Sequence, residues 1–171
     1  AALAASSAWA AKKRSSSKPL NVLLITVDDM NCDSVGACGC TVPETTPHID
    51  KLASESLRFT HAHVTIAVCQ PCRGALSTGR YPHRSGIEGF YHTQKDIPTV
   101  NRCLKKAGYL LGVLGKAGHS SPRADTHWDM RLAMGQLGMG RDPSVYYRHA
   151  KRFFDQAKST GRPFYLMANS H

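Results

Sequence analysis

No stretch of this chain approaches the roughly 20 consecutive apolar residues that a helix needs to cross a bilayer, so no membrane-spanning helix is expected. Acidic residues are scarce. Only 12 Asp and Glu stand against 22 Lys and Arg, a formal net charge of +10, which favours an anionic partner. Nucleic acid is disfavoured in that role, because the basic residues form no aromatic-interleaved stripe and match no docking motif. No internal repeat is present, so a stacked-repeat architecture is not expected. A second cysteine pair with zinc-ligand spacing is also missing. Cys69-x-x-Cys72 would need one, and Cys38 and Cys40 lie one residue too close together.

What is present suits one globular domain: 171 residues, of which 42% are hydrophobic, suffice for a sizeable core. The chain does not begin with Met, and its first eleven residues are rich in Ala and Ser. Ala8-Trp9-Ala10 has the small-x-small form of a signal-peptidase site. Residues 1–19 are therefore expected to be an export-signal remnant plus a solvated basic linker (Lys12, Lys13, Arg14, Lys18), with 20–171 as the folded unit. Export implies a periplasmic, secreted or lysosomal protein, where six cysteines have access to disulfide chemistry.

Leu20 to Val27 is a short apolar run of β-branched character, which predicts a strand buried on both faces. Thr46-Pro47, Thr99 and Asp142-Pro143 read as helix starts. Pro71 to Thr78 reads as a short helix closed by Gly79, while Gly108 and Gly161 end two others. Tyr109 to Leu114 and Phe164 to Ala168 read as further core strands. Arg58 to Ile66 alternates loosely enough for a strand, and Ser120 to Arg141 has no clear period. Strands and helices in turn predict an α/β fold, a parallel-rich sheet flanked by helices. Ligands of such sheets bind beyond the carboxyl ends of the strands. Three such ends carry Asp28-Asp29, then Lys116 and His119, then Asn169-Ser170-His171.

Cys69-Gln70-Pro71-Cys72-Arg73, continuing to Leu76-Ser77-Thr78-Gly79-Arg80, admits a zinc half-site or a redox pair. Neither explains Pro71 or Thr78-Gly79-Arg80. The whole string resembles the signature of the type I sulfatases, Cys-x-Pro-x-Arg followed by Leu-x-Thr-Gly-Arg. Tyr81-Pro82-His83-Arg84-Ser85-Gly86 resembles the segment after that signature, and Gly115-Lys116-Ala117-Gly118-His119 resembles the family's Gly-Lys-x-His segment with one extra residue. Thr46-Pro47-His48-Ile49-Asp50 matches a family helix start, with His48 where Asn is more usual.

The resemblance spans 20–171 and implies an alkaline-phosphatase/sulfatase-like fold, incomplete because family members continue further. It implies that a formylglycine-generating enzyme oxidises Cys69 to Cα-formylglycine. It implies one divalent cation, usually Ca2+, on Asp28, Asp29 and the residue at 69. Arg73 would hold the aldehyde, and Lys116 and His119 would contact the sulfate and the leaving oxygen. The implied reaction is attack on sulfur by the hydrated aldehyde, on a sulfated small molecule or glycan. Arg80 reads as structural, His83 and Arg84 as supporting, and His171 as a doubtful site residue. Two other readings stand beside it: a phosphoester or phosphonate hydrolase of the same superfamily, or a non-catalytic fragment.

Overall fold

A computed structural model describes residues 18–170. The Ala8–Ala10 cleavage reading, the basic residues 12–14 and His171 lie outside the described residues. The elements are β1 (Val22–Val27), α1 (Pro47–Ser54), α2 (Cys69–Thr78), α3 (Pro82–Ser85), α4 (Val100–Lys106), β2 (Leu110–Leu114), β3 (Met130–Leu132), α5 (Pro143–Thr160) and β4 (Phe164–Ser170), of which α3 and β3 carried no sequence expectation. The sheet is wholly parallel, in the order β1-β4-β2-β3. Among the described residues, no helix is long and apolar enough to cross a membrane.

Alternate residues of the central strands point to opposite faces. Leu110, Leu114 and Leu166 meet Phe153 and Ala157 of α5 on one face. Leu111, Val113, Tyr165 and Met167 pack with Leu104 of α4 and Trp128 on the other. Gly112 lies under α5, where a Cβ would come within 2.6 Å of the Phe153 ring. All five β2 residues are buried, as a continuous apolar run between two helical layers should be.

Two helix starts work as their sequences require. Thr99 accepts from Arg102 N at 3.2 Å, and Asp142 Oδ1 accepts from Ser144 N and Val145 N at 2.9 and 3.2 Å. Thr46 acts differently. Its hydroxyl accepts from Gly36 N and donates to Asp50, so it ties the preceding loop to α1 instead of capping.

Two expectations need correction, and one segment without a period gains elements. β1 is not buried on both faces: Ile25 is 63% exposed and Leu23 51%. Its one partner among the described residues is β4, and α5 seats over β2 and β4. Arg58 to Ile66 forms no strand and runs as irregular chain to α2. The aperiodic segment from Ser120 to Arg141 holds β3, too short at three residues to show a period, and a 3-10 turn at Met134–Leu137.

Candidate active site at the carboxyl ends of the strands

β1 leads into Asp28, β2 leads into Lys116, and α2 starts nearby at Cys69, so three polar groups meet at one end of the sheet. Arg73 is buried. Its Nη2 donates to Asp28 Oδ1 at 3.0 Å, and its Nη1 donates to Thr26 Oγ1 at 3.0 Å and to Asn169 Oδ1. Lys116 Nζ lies 2.5 Å from the other Asp28 oxygen, Oδ2. All three charged side chains are nearly buried, at 7%, 11% and 9% exposure for Arg73, Asp28 and Lys116. Burial pushes the Asp28 carboxyl up, but hydrogen bonds and charge from Lys116 and Arg73 outweigh it and hold the group below its ordinary value.

Asn169 is fully buried at the centre. Its Oδ1 accepts from Thr26 Oγ1 at 2.6 Å, and its Nδ2 donates to the carbonyls of Leu114 and Gly115 at 3.1 and 2.8 Å. Gly115 has φ 72°, and a Cβ there would meet the Asn169 carbonyl and lie 2.6 Å from the Tyr146 hydroxyl. Two non-glycine residues of the strand-end loops share the left-handed backbone: Asp29 at φ 52° and Lys116 at φ 48°. Such angles are uncommon outside glycine and cluster at functional sites.

Cys69 is the first residue of α2 and half-buried, and its Sγ lies 3.2 Å from His119 Nδ1. Burial, then the positive charges of Lys116 and Arg73, push the His119 imidazole below its ordinary 6.5. Phe90 covers it, with ring centroids 5.3 Å apart. Arg73 Nε is buried and has no hydrogen-bond partner among the described residues.

The structure thus brings together Cys69, Arg73, Lys116, His119 and Asp28. Asp29 follows directly but is exposed. Arg80, read from sequence as structural, and Arg84, read as supporting the site, line a separate surface hollow with His83 and Lys95. Among the described residues, no three His, Cys, Asp or Glu side chains converge as a metal-binding group. Sequence reasoning missed Thr26, Tyr146 and Phe90. Thr26 carried a signal, as the one polar residue of β1, whereas Phe90 carried none.

The Sulfatase family model matches residues 20–169. Among curated proteins, the chain is 39% identical over 105 residues to arylsulfatase A of Bos taurus, covering 57% of this chain and 20% of that one. It is 37% identical over 109 residues to N-acetylgalactosamine-6-O-sulfatase of Bacteroides thetaiotaomicron, covering 60% and 21%. It is 32% identical over 147 residues to the ulvan-active sulfatase of Formosa agariphila, covering 81% and 29%. The chain therefore spans less than a third of the length of each of these relatives. A protein solved with its substrate D-glucosamine-2-N,6-O-disulfate shares the fold at TM-score 0.74 and 21% identity, over 90% of this chain and 34% of that one. Ps i-CgsB, solved in complex with k-i-k-neocarrahexaose, superposes at TM-score 0.67 with 25% identity, over 89% and 45%.

Proposed function

The chain belongs to the sulfatase family, and from that premise we propose that it carries the amino-terminal half-site of an exported sulfuric ester hydrolase acting on a sulfated glycan. The observation that carries this reading is the meeting of Cys69 and His119 at 3.2 Å, beside a buried Asp28–Arg73–Lys116 cluster at the carboxyl end of a parallel sheet. A glycan substrate is favoured by the polysaccharide and amino-sugar sulfatases among the relatives. It is also favoured by the surplus of basic residues. Export is favoured by the small-x-small leader.

The residues fit a formylglycine at position 69. Arg73 is one helical turn away, its buried Nε–H has no acceptor among the described residues, and an oxygen at 69 is a better acceptor than sulfur. They fit a divalent cation in part. Asp28 and Asp29 offer hard carboxylate oxygens, fewer than the six to eight ligands a calcium ion takes. An aldehyde at 69 supplies, once hydrated, a nucleophilic hydroxyl, and a bound cation supplies Lewis acidity toward sulfate oxygens.

The chain's own side chains then have distinct tasks. Lys116 and Arg73 place fixed positive charge where the sulfuryl oxygens gain negative charge. Asp28 holds both in position. His119, mostly neutral near pH 7, takes a proton at Nδ1 from the group at 69 and delivers it to the leaving ester oxygen. Phe90 packs against the imidazole.

The test is chemical. The chain is co-produced with a formylglycine-generating enzyme, and the tryptic peptide ending at Arg73 is weighed. The expected product has sulfur replaced by oxygen with two hydrogens lost, and Pro71→Ala or Arg73→Ala lowers the yield. Recovery of thiol alone under every condition rejects the reading.

A further inference from the structure

The far end of α2 carries a second set of basic groups. Gly79, Arg80, Tyr81, His83, Arg84 and Lys95 line a surface hollow of about 600 Å3, and none of them is acidic. The helix has 10 residues, so this end stands about 15 Å from Cys69 at ~1.5 Å per residue. The backbone under the hollow is tied down. Thr93 Oγ1 donates to Ser85 O at 2.6 Å and accepts from Lys95 N at 3.1 Å, which straps that segment to α3. Lys95 then runs over Gly86, where a Cβ would come within 3.2 Å of its Cε. Its Nζ donates to the carbonyls of His83 and Arg84 at 3.4 and 3.2 Å. Arg80 and Arg84 are exposed, and among the described residues their guanidinium groups make neither an ion pair nor a hydrogen bond. Asp96, next to Lys95, pairs with Arg102 instead. Tyr81 is 62% exposed and stacks on His83, with ring centroids 6.1 Å apart.

We propose that this hollow is an anion subsite, which holds a sulfate group of a glycan chain away from the point of cleavage. A guanidinium presents a planar fork of N–H donors that matches two oxygens of a sulfate. Two such forks, with no protein acceptor among the described residues, share the hollow with the Lys95 ammonium, and no carboxylate lines it. Gathering like charges costs energy, and a bound anion removes that cost. Tyr81 adds an aromatic face, whose negative charge suits the C–H side of a sugar ring. Single-stranded nucleic acid is bound by aromatic faces in series along a basic groove, whereas one exposed tyrosine stands among the cations here. The choice of a glycan rests on the proposed hydrolase reading, while the anion subsite rests on the side chains of the hollow.

Calorimetric titration of the full chain tests the subsite, with the thiol at 69 left unmodified so that no hydrolysis intervenes. The probes are a heparin hexasaccharide and the same hexasaccharide stripped of sulfate but keeping its carboxylates. The expected result is binding of the sulfated probe alone, weakened about tenfold in Kd by each of Arg80→Ala and Arg84→Ala. The paired change Arg148→Ala and Arg152→Ala removes as much charge from exposed positions on α5 and should leave the affinity nearly unchanged. The Tyr81 and His83 ring signals should shift in NMR during the titration, a readout that needs no variant. The proposal is overturned by an affinity that neither Arg80→Ala nor Arg84→Ala changes, or by equal weakening from the α5 pair. Unmoved Tyr81 and His83 signals overturn it too, as does equal binding of the desulfated probe or of a single-stranded oligodeoxynucleotide of matched charge. None of these readings needs an aldehyde at 69, so their failure leaves the hydrolase reading standing, and recovery of thiol alone leaves the subsite standing.

Discussion

Replacing Asp28 by Asn should be far more costly to stability than replacing Lys116 by Met, although each change breaks the same ion pair. The cluster sets one carboxylate against two cations. Each contact carries about 6 kcal/mol of gross Coulomb attraction at an effective dielectric of ~20, most of it offset by desolvation. Asp28→Asn leaves Arg73 and Lys116 facing each other, nearly buried and unneutralised. Removing the shared partner of buried charges costs ~3–5 kcal/mol. Lys116→Met leaves the Asp28–Arg73 pair balanced and keeps the left-handed backbone occupied by a non-glycine residue, so its strain cancels. Its expected cost is within about 1 kcal/mol of zero. With a urea slope of ~2 kcal/mol per molar, the midpoints should differ by about 1–2 M. Urea unfolding of both variants with excess chelator, followed by circular dichroism, measures this. The double variant should recover part of the Asp28→Asn loss. Equal destabilisation by the two single changes would refute the charge argument.

Other outcomes follow from the same site. His119 should titrate below 6.5 by NMR, and Lys116→Met should move it back upward, since Lys116 is among the charges that depress it. Because its folded value is lowered, the unfolded chain binds more protons between that value and 6.5, so stability should fall as pH drops through that window. An unmoved His119 resonance in Lys116→Met would count against the assignment. Asp28, also lowered in the fold, adds stability above its unfolded value of 3.8 that is lost on further acidification through the folded value. Gly115→Ala, which adds a Cβ against the Asn169 carbonyl at φ 72°, should cost about 2–4 kcal/mol, read as a urea midpoint. In a protein of a relative's full length, Asp28→Ala and Asp29→Ala should each weaken calcium binding by calorimetry, and Lys116→Ala should lower turnover while sparing it. The present chain with an aldehyde at 69 should not turn over an aryl sulfate, because its two carboxylates undersupply a calcium ion; measurable hydrolysis would show otherwise.

Much of the architecture was legible because local signals agreed. Apolar runs marked β2 and β4, Pro and Asp marked the start of α5, and glycines marked several helix ends. The burial of β1 was misjudged for a physical reason: an apolar run states what a strand can bury, not whether a layer lies over it. The strand expected at 58–66 failed because alternation without a pairing partner fixes nothing. At the site, residue types at strand ends identified Asp28, Lys116 and His119, and the signature identified Cys69 and Arg73. The contacts that join them were not legible. Nothing in the sequence says that Arg73 spans from α2 to Thr26 and Asn169, or that Phe90 lies on His119. Arg80, the last residue of the signature, and Arg84 just beyond it show the converse, since their place in the sequence did not bring them to the cluster.

Asn169 has a consequence for how the sheet chooses its alignment. Parallel strands such as β2 and β4 are apolar on both faces, so a slip along the strand exchanges one hydrophobic contact for another at little cost. The single amide of Asn169 ends that degeneracy. It reaches Thr26 on one neighbouring strand and the carbonyls at the end of the other, and it receives Arg73 from the helix above. Only one offset of three strands satisfies all of these bonds, and any other leaves buried polar groups orphaned. The knot that holds the cationic site is thus also the pin that selects strand register, so a chain that has aligned its sheet correctly has, by the same contacts, already positioned Arg73.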